Sequence, residues 1–273
     1  MSSDLEAKGP EEAPSPKKPA QQILQEEIHE GIDALTRGSG SLFVSALSGG
    51  LDVGFSVMLM AVIQTIGRDK LPEPVVRILV ANMYSVGFIF VIIGRSELFT
   101  EQTSLAILPL LRGRATVASL MRLWGIVYIA NLMGAAIFAG MISYIGPALG
   151  MIEPGAFGAI GHRMVDHGWA IIFLSAVLAG WLMGLLSWMV VAGRDTISQI
   201  VIVWMVTTAI GLGGLHHVVL GSVEVLTAIF AGQSVTWGDF GKFLVWATLG
   251  NAVGGSVFVA LIKYGHARRE GEN

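Results

Sequence analysis

The residues of this chain that could do chemistry stand where only apolar side chains are expected. Gly211–Glu224 reads Gly-Leu-Gly-Gly-Leu-His-His-Val-Val-Leu-Gly-Ser-Val-Glu and interrupts an apolar run that extends from Ile197 to Phe230. It holds two adjacent histidines, His216 and His217, and the carboxylate Glu224. A second interruption, Gly94–Thr103 (Gly-Arg-Ser-Glu-Leu-Phe-Thr-Glu-Gln-Thr), places Arg95, Glu97 and Glu101 after another apolar run. Asp52 sits inside a third, in Gly-Gly-Leu-Asp-Val-Gly. Histidine titrates near neutrality, so it can relay a proton or carry charge only while an anion is beside it. A carboxylate at membrane depth must be paired or protonated, and ionisable groups there mark ion or substrate paths. Arg95 and the histidines are candidate partners for Asp52. The plainer readings are a structural Arg95–Glu97 pair and histidines that only pack. Adjacent histidines on a helix point about 100° apart and no third ligand is evident, so a metal site is not expected.

The elements that must position these residues are membrane spans. Of 273 residues, 53 % are hydrophobic and 14 % charged, and the mean hydropathy is +0.67. Soluble domains carry about a quarter charged residues. Six apolar segments are expected: about 42–66, 75–94 continuing after a break to 111, 120–145, 169–192, the broken 197–230, and 243–264. Most approach the roughly 20 residues needed to cross a bilayer. Thirty-five glycines suit close helix approach. Cysteine is absent, which removes disulfides and thiol chemistry. The net charge of −3 offers no footprint for nucleic acid.

Residues 1–20, rich in Ser, Pro, Glu and Lys, read as a disordered cytosolic tail rather than a signal peptide. Residues 21–37 form an amphipathic helix with Leu24, Ile28, Ile32 and Leu35 on one face, lying on the membrane surface or against a neighbouring subunit. The transmembrane domain spans 38–265, and 266–273 is a second tail. With both termini in the cytosol, that side collects Lys8, Lys17, Lys18, Arg37, Arg112, Arg114, Arg122, Arg194, Lys263, Arg268 and Arg269. The other side holds Arg68, Lys70, Arg77, Arg163 and Lys242. This bias satisfies the positive-inside rule. Trp169, Trp237 and Trp246 fall near segment ends, where interface anchors belong.

An internal repeat is legible. Asn131-Leu-Met-Gly-Ala-Ala-Ile-Phe in the third segment recurs as Asn251-Ala-Val-Gly-Gly-Ser-Val-Phe in the sixth, offset by 120 residues. Three segments per repeat is an odd number, so the halves are inverted across the membrane, a transporter and channel design with its site near the midplane. The same offset carries His217 back to Glu97, so the two breaks are counterparts. Ser104–Leu111 is too short to cross alone and reads as a half-helix after a re-entrant loop. The N-termini of such half-helices would aim unpaired N–H groups at an anion.

Gly-Arg-Ser-Glu97-Leu98-Phe99-Thr100, the Gly-Leu-His-His217 break and the two Asn-x-x-Gly motifs resemble the formate/nitrite transporter family over about 26–264. The resemblance implies an aquaporin-like all-α fold of six transmembrane helices with broken second and fifth helices, and a homopentamer with one pore per protomer. It implies His217 as central histidine with Thr100 as partner, and constrictions at Tyr84 and Ile210 on one side and Phe88, Leu98 and Phe99 on the other. The chain departs from the family at His216, where Glu is usual, at Gly180, where the fourth helix carries Asn, and at Asp52. Those changes and the acidic N-terminus are more similar to the YfdC-type branch.

The expected function is transport of small monovalent anions, formate- or nitrite-like weak acids, through a bacterial inner membrane, channel-like or proton-coupled. The pathway residues are His217, Thr100, Glu97, His216 and Asp52, and the partners are lipid, the anion, protons and further copies of the chain. No cofactor is expected. An aquaporin-like neutral-solute channel and a family member with altered or lost transport are the alternatives. An intramembrane enzyme would need a His-Glu-x-x-His or Gly-x-Ser-x-Gly motif, and neither occurs.

Overall fold

The computed structural model describes residues 17–261 and 265, with the backbone alone over 258–261. The tails expected at 1–20 and 266–273 lie outside these residues except for 17–20. An opening helix, α1 (Ala20–Thr36), leads into α2 (Ser39–Asp52) and α3 (Gly54–Gly67), which run as one interrupted span. Next come α4 (Glu73–Gly94), the short α5 (Phe99–Leu105) and α6 (Ile107–Leu111), and α7 (Val117–Ala148). The second half comprises α8 (Pro154–Val165), α9 (Trp169–Ala192), α10 (Thr196–Gly213), α11 (Val218–Phe230) and α12 (Trp237–Val253), which continues as a π-helix over Gly254–Leu261. Among the described residues five helices are long and apolar enough to cross a membrane, and α11 is a shorter apolar helix.

Their exteriors remain greasy. Val44, Ile78, Met121, Ile129, Leu174 and Ile197 are all more than half exposed, as lipid-facing or subunit-facing surfaces require. Trp169 and Trp237 are exposed, and Trp246 packs on Trp169 with ring centroids 4.8 Å apart.

The α1 helix does not lie out on the bilayer. Its apolar face, Ile23, Leu24 and Ile28, packs against Leu108, Trp188 and Val191 of the same chain, and the side chain of Gly31 is missing where a Cβ would meet the Leu105 carbonyl at 2.5 Å. Arg122 fixes its end by donating to the carbonyls of Leu35 and Arg37 at 2.9 and 3.0 Å. A single glycine that admits a backbone this closely is a packing signal, which amphipathicity alone does not reveal.

The repeat is visible in the hydrogen bonds. Asn131 accepts from Phe99 N–H at 2.8 Å and donates to the carbonyls of Ala46 and Glu97. Asn251 accepts from Val218 N–H at 2.8 Å and donates to the carbonyls of Ala176 and His216. Each asparagine thus staples a break to the first spanning helix of its own half, α2 or α9. The same correspondence governs close packing: a Cβ on Gly50 would strike Asn131 O at 2.2 Å, and one on Gly180 would strike Asn251 O at 2.3 Å. Gly180 therefore faces α12 across a backbone contact, with no room for the asparagine that the resemblance implies there.

Candidate functional site: the two breaks and the central histidine

Both breaks end their helices in the same way. Arg95 (φ 57°) and Gly214 (φ 62°) take left-handed conformations, and the following residues, Ser96 and Leu215, donate back to the carbonyls of Val91 and Ile210. This is the hydrogen-bonding that closes a helix with a left-handed cap. A left-handed arginine is uncommon and a glycine there costs nothing. The chain then turns extended and restarts as α5 at Phe99 and as α11 at Val218.

The register within the breaks differs by one from that of the asparagines. Phe99 and Val218, held by equivalent bonds, are 119 residues apart, so the counterpart of Glu97 is His216 and that of His217 is Leu98. The offset of 120 read from the Asn-x-x-Gly motifs misplaces the breaks by one position, because the connection between helices has shortened by a residue.

His217 is 1 % exposed and Thr100 fully buried. The Nε2 of His217 lies 2.8 Å from Thr100 Oγ1, and its Nδ1 accepts from Leu220 N–H at 3.3 Å. A neutral imidazole that accepts at Nδ1 carries its proton on Nε2. That proton is therefore donated to Thr100 Oγ1, and the threonine O–H is left to donate elsewhere. The ring edge of Phe88 meets the imidazole with centroids 5.0 Å apart, and Tyr84 stacks on Phe88 at 5.4 Å. Leu98 and Ile210 are fully buried, and Ile210 lines a small cavity together with Tyr84. Phe99 instead turns its ring to α7, edge-on to Trp124 and Tyr128, and so stands apart from the other constriction candidates.

The remaining candidates are not joined to His217. His216 faces away from it: Nδ1 is 2.8 Å from Ser175 Oγ, and its ring neighbours are His167 and Phe243. Glu97 pairs with Arg37 at 3.1 Å and accepts from Gln102 at 2.6 Å, in place of the structural pair with Arg95 that the sequence offered. Together with Glu30, Asp33, Arg95 and Glu101 it lines a cavity of about 710 Å³ at the α1 end of the bundle. Asp52 accepts from the hydroxyls of Ser48 and Ser96, each at 3.1 Å. It ties α2 to the first break, and its partners are hydroxyls rather than the arginine or histidines expected. Arg37 and Ser175 went unrecognised because each is ordinary in its own segment; only the fold brings them to a break.

The half-helix N-termini are also less open than expected. Phe99 N–H and Val218 N–H are taken by the asparagines and Leu220 N–H by His217. These donors hold the loops in shape and do not point at a guest. Among the described residues no group of three or more metal-binding side chains converges.

The formate/nitrite transporter family description matches residues 21–265. The chain belongs to that family. It is 33 % identical over 255 residues to the inner membrane protein YfdC of Escherichia coli K12, covering 90 % of this chain and 80 % of that one. It is 30 % identical over 250 residues to the uncharacterized transporter YrhG of Bacillus subtilis 168, covering 89 % and 91 %. Among solved structures, an FNT family ion channel superposes with a TM-score of 0.81 at 22 % identity, covering 90 % of this chain and 98 % of that one. A pentameric formate channel with formate bound gives 0.73 at 23 %, covering 83 % and 96 %. Family membership and the all-helical, multi-span fold are thus established together.

Proposed function

We propose that the chain carries small monovalent anions of weak acids, formate- or nitrite-like, across a bacterial inner membrane, each protomer of a homopentamer having its own path and both termini facing the cytosol. The carrying observation is the buried Thr100–His217 pair between apolar rings, 2.8 Å apart. A bare anion in such a column would lose its hydration with nothing equivalent in return. An imidazole whose Nε2 proton is shared with a threonine hydroxyl can hydrogen-bond a guest and exchange a proton with it, so the species that passes Phe88, Tyr84, Leu98 and Ile210 is the neutral acid. Relatives named as a probable formate transporter of Methanothermobacter thermautotrophicus and a nitrite transporter of Salmonella typhimurium support the substrate class.

In this reading the other candidates divide by task. Glu97 belongs to the mouth at the α1 end, where Arg37 balances its charge. Asp52 shapes the first break, and His216 the second. The test is formate and nitrite flux into proteoliposomes at two external pH values. Flux should rise as pH falls and drop at least tenfold in His217→Asn. A wild-type protein that moves neither anion at either pH refutes the transport reading, and undiminished flux in the variant removes the proton exchange at His217.

A further inference from the structure

At the end of the bundle remote from α1, a cavity of about 30 Å³ opens between α3, α4, α8, α10 and α11. That is room for about one or two waters. Three of its lining groups are polar: Tyr84, Arg163 and Glu224. Glu224 is 3 % exposed, and among the described residues its carboxylate has no hydrogen-bond partner. The Tyr84 hydroxyl is likewise buried without one. Arg163 is exposed and reaches the same cavity from the surface. Two buried polar groups without hydrogen-bond partners lining one water-sized space, with a cation at its mouth, are not a packing accident, since buried polar groups are nearly always hydrogen-bonded. The cavity also sits next to the central column, for Tyr84 stacks on Phe88 and Phe88 abuts His217.

We propose that Glu224 is a second proton-exchange group, serving weak-acid anions that enter from the side remote from α1 before they reach the Tyr84–Phe88 rings. This deepens the transport reading above and rests on it. Arg163 draws the anion to the cavity mouth. Glu224, as the neutral acid, passes its proton through cavity water to the anion: one O–H bond breaks on Glu224 as one forms on the guest, and the electron pair stays behind as carboxylate charge beside Arg163. The guest goes on as neutral acid, and water on that side returns the proton.

The charged groups around Glu224 allow this. From α4 it meets Tyr84 and from α8 Arg163, whereas α3 and α10 line the cavity with uncharged residues such as Met60 and Ile210. On α12, Asp239 caps Thr236 and Lys242 is held by the carbonyls of Val165 and His167. On α5, Glu101 opens to the opposite cavity, and on α7 Arg122 is engaged with α1. His162, also on α8, is occupied by Asp166 and the Gln233 carbonyl.

The experiment is formate uptake by proteoliposomes across external pH in wild type, Glu224→Gln and Glu224→Asp. The glutamine variant keeps the shape and loses the exchangeable proton. Its flux should fall about tenfold and lose its rise with acidification, with most of both restored by aspartate. Wild-type transport together with an unchanged pH profile in Glu224→Gln overturns this proposal and leaves the His217 reading standing; absence of wild-type transport refutes both. Infrared spectroscopy of the wild-type protein reads the same group independently of flux and of the variant's yield. A carboxylic-acid carbonyl band that shifts promptly in D₂O and is missing from Glu224→Gln supports the assignment, and a band from Glu224 that does not exchange overturns it.

Discussion

Asn131 and Asn251 make the same three hydrogen bonds in the two halves of the chain, each joining the N–H that opens a half-helix to carbonyls of the break and of a neighbouring helix. Both side chains are fully buried. Removing one leaves the N–H of the half-helix and the carbonyl of the break without this partner away from water, at about 1–3 kcal/mol for each group left unsatisfied, while the Ala46 or Ala176 carbonyl lies inside a helix and keeps its helix bond. Asn131→Ala and Asn251→Ala are therefore expected to lower the melting temperature of the solubilised protein by several degrees and by similar amounts. Scanning fluorimetry in detergent checks this, and one harmless substitution would show that the two staples are unequal.

Thr100 separates donation from bulk. Thr100→Val keeps the shape and removes the acceptor for the His217 Nε2 proton, whereas Thr100→Ser keeps the hydroxyl. Formate flux should fall about tenfold or more in the valine variant, as expected when a buried donor is left unsatisfied at about 1–3 kcal/mol. The serine variant should stay within a fewfold of wild type. Stopped-flow measurement on the three proteins gives the answer.

Gly180 tests whether this position can line a path. Its Cβ would lie 2.3 Å from Asn251 O, and backbone on both sides leaves no flexible group to yield. Gly180→Asn, which installs the residue that the family resemblance implies at this position, should cost about 1–3 kcal/mol or more through overpacking and abolish the monodisperse peak in fluorescence-detected size-exclusion chromatography. Recovery of a stable, active protein would mean that the fourth helix shifts.

His162 provides a pH signature outside the spans. Its hydrogen bond with Asp166, 3.0 Å long, raises its pKa above the usual histidine value, with burial opposing and the Asp166 charge adding to the rise. A raised pKa means that the folded state binds the proton more tightly. The pair's stabilisation is complete below about pH 6.5, the unfolded value, and is lost as pH rises through the folded one. An exposed pair of this kind contributes about 0.2–1 kcal/mol. The difference in melting temperature between wild type and Asp166→Asn should be small at pH 5.5 and vanish by pH 9.

Much of this was legible in the residues, and for identifiable reasons. Apolar runs announce spans because hydrocarbon tolerates little else, and the Asn-x-x-Gly pair announces the repeat because each asparagine must satisfy three backbone groups. His217 and Thr100 are brought together over 117 residues. Side-chain direction was not legible. Nothing local to His216 says that it turns to Ser175, and nothing local to Glu97 says that Arg37 reaches it across 60 residues. Nor does an amphipathic pattern reveal whether α1 meets lipid or its own bundle.

The one-residue difference between the two offsets has a historical meaning. Ala46 and Ala176, both bonded by the asparagines, stand 130 residues apart, whereas the breaks stand 119 apart and the asparagines 120. If the halves descend from one duplicated ancestor, length has drifted by about ten residues between the first and second helices of a repeat. The bonded atoms have kept their arrangement, and their cargo has diverged: glutamate against histidine at 97 and 216, leucine against histidine at 98 and 217. The scaffold stands in duplicate and the Thr100-bonded histidine in only one copy, so the chain is symmetric as architecture and one-sided as chemistry.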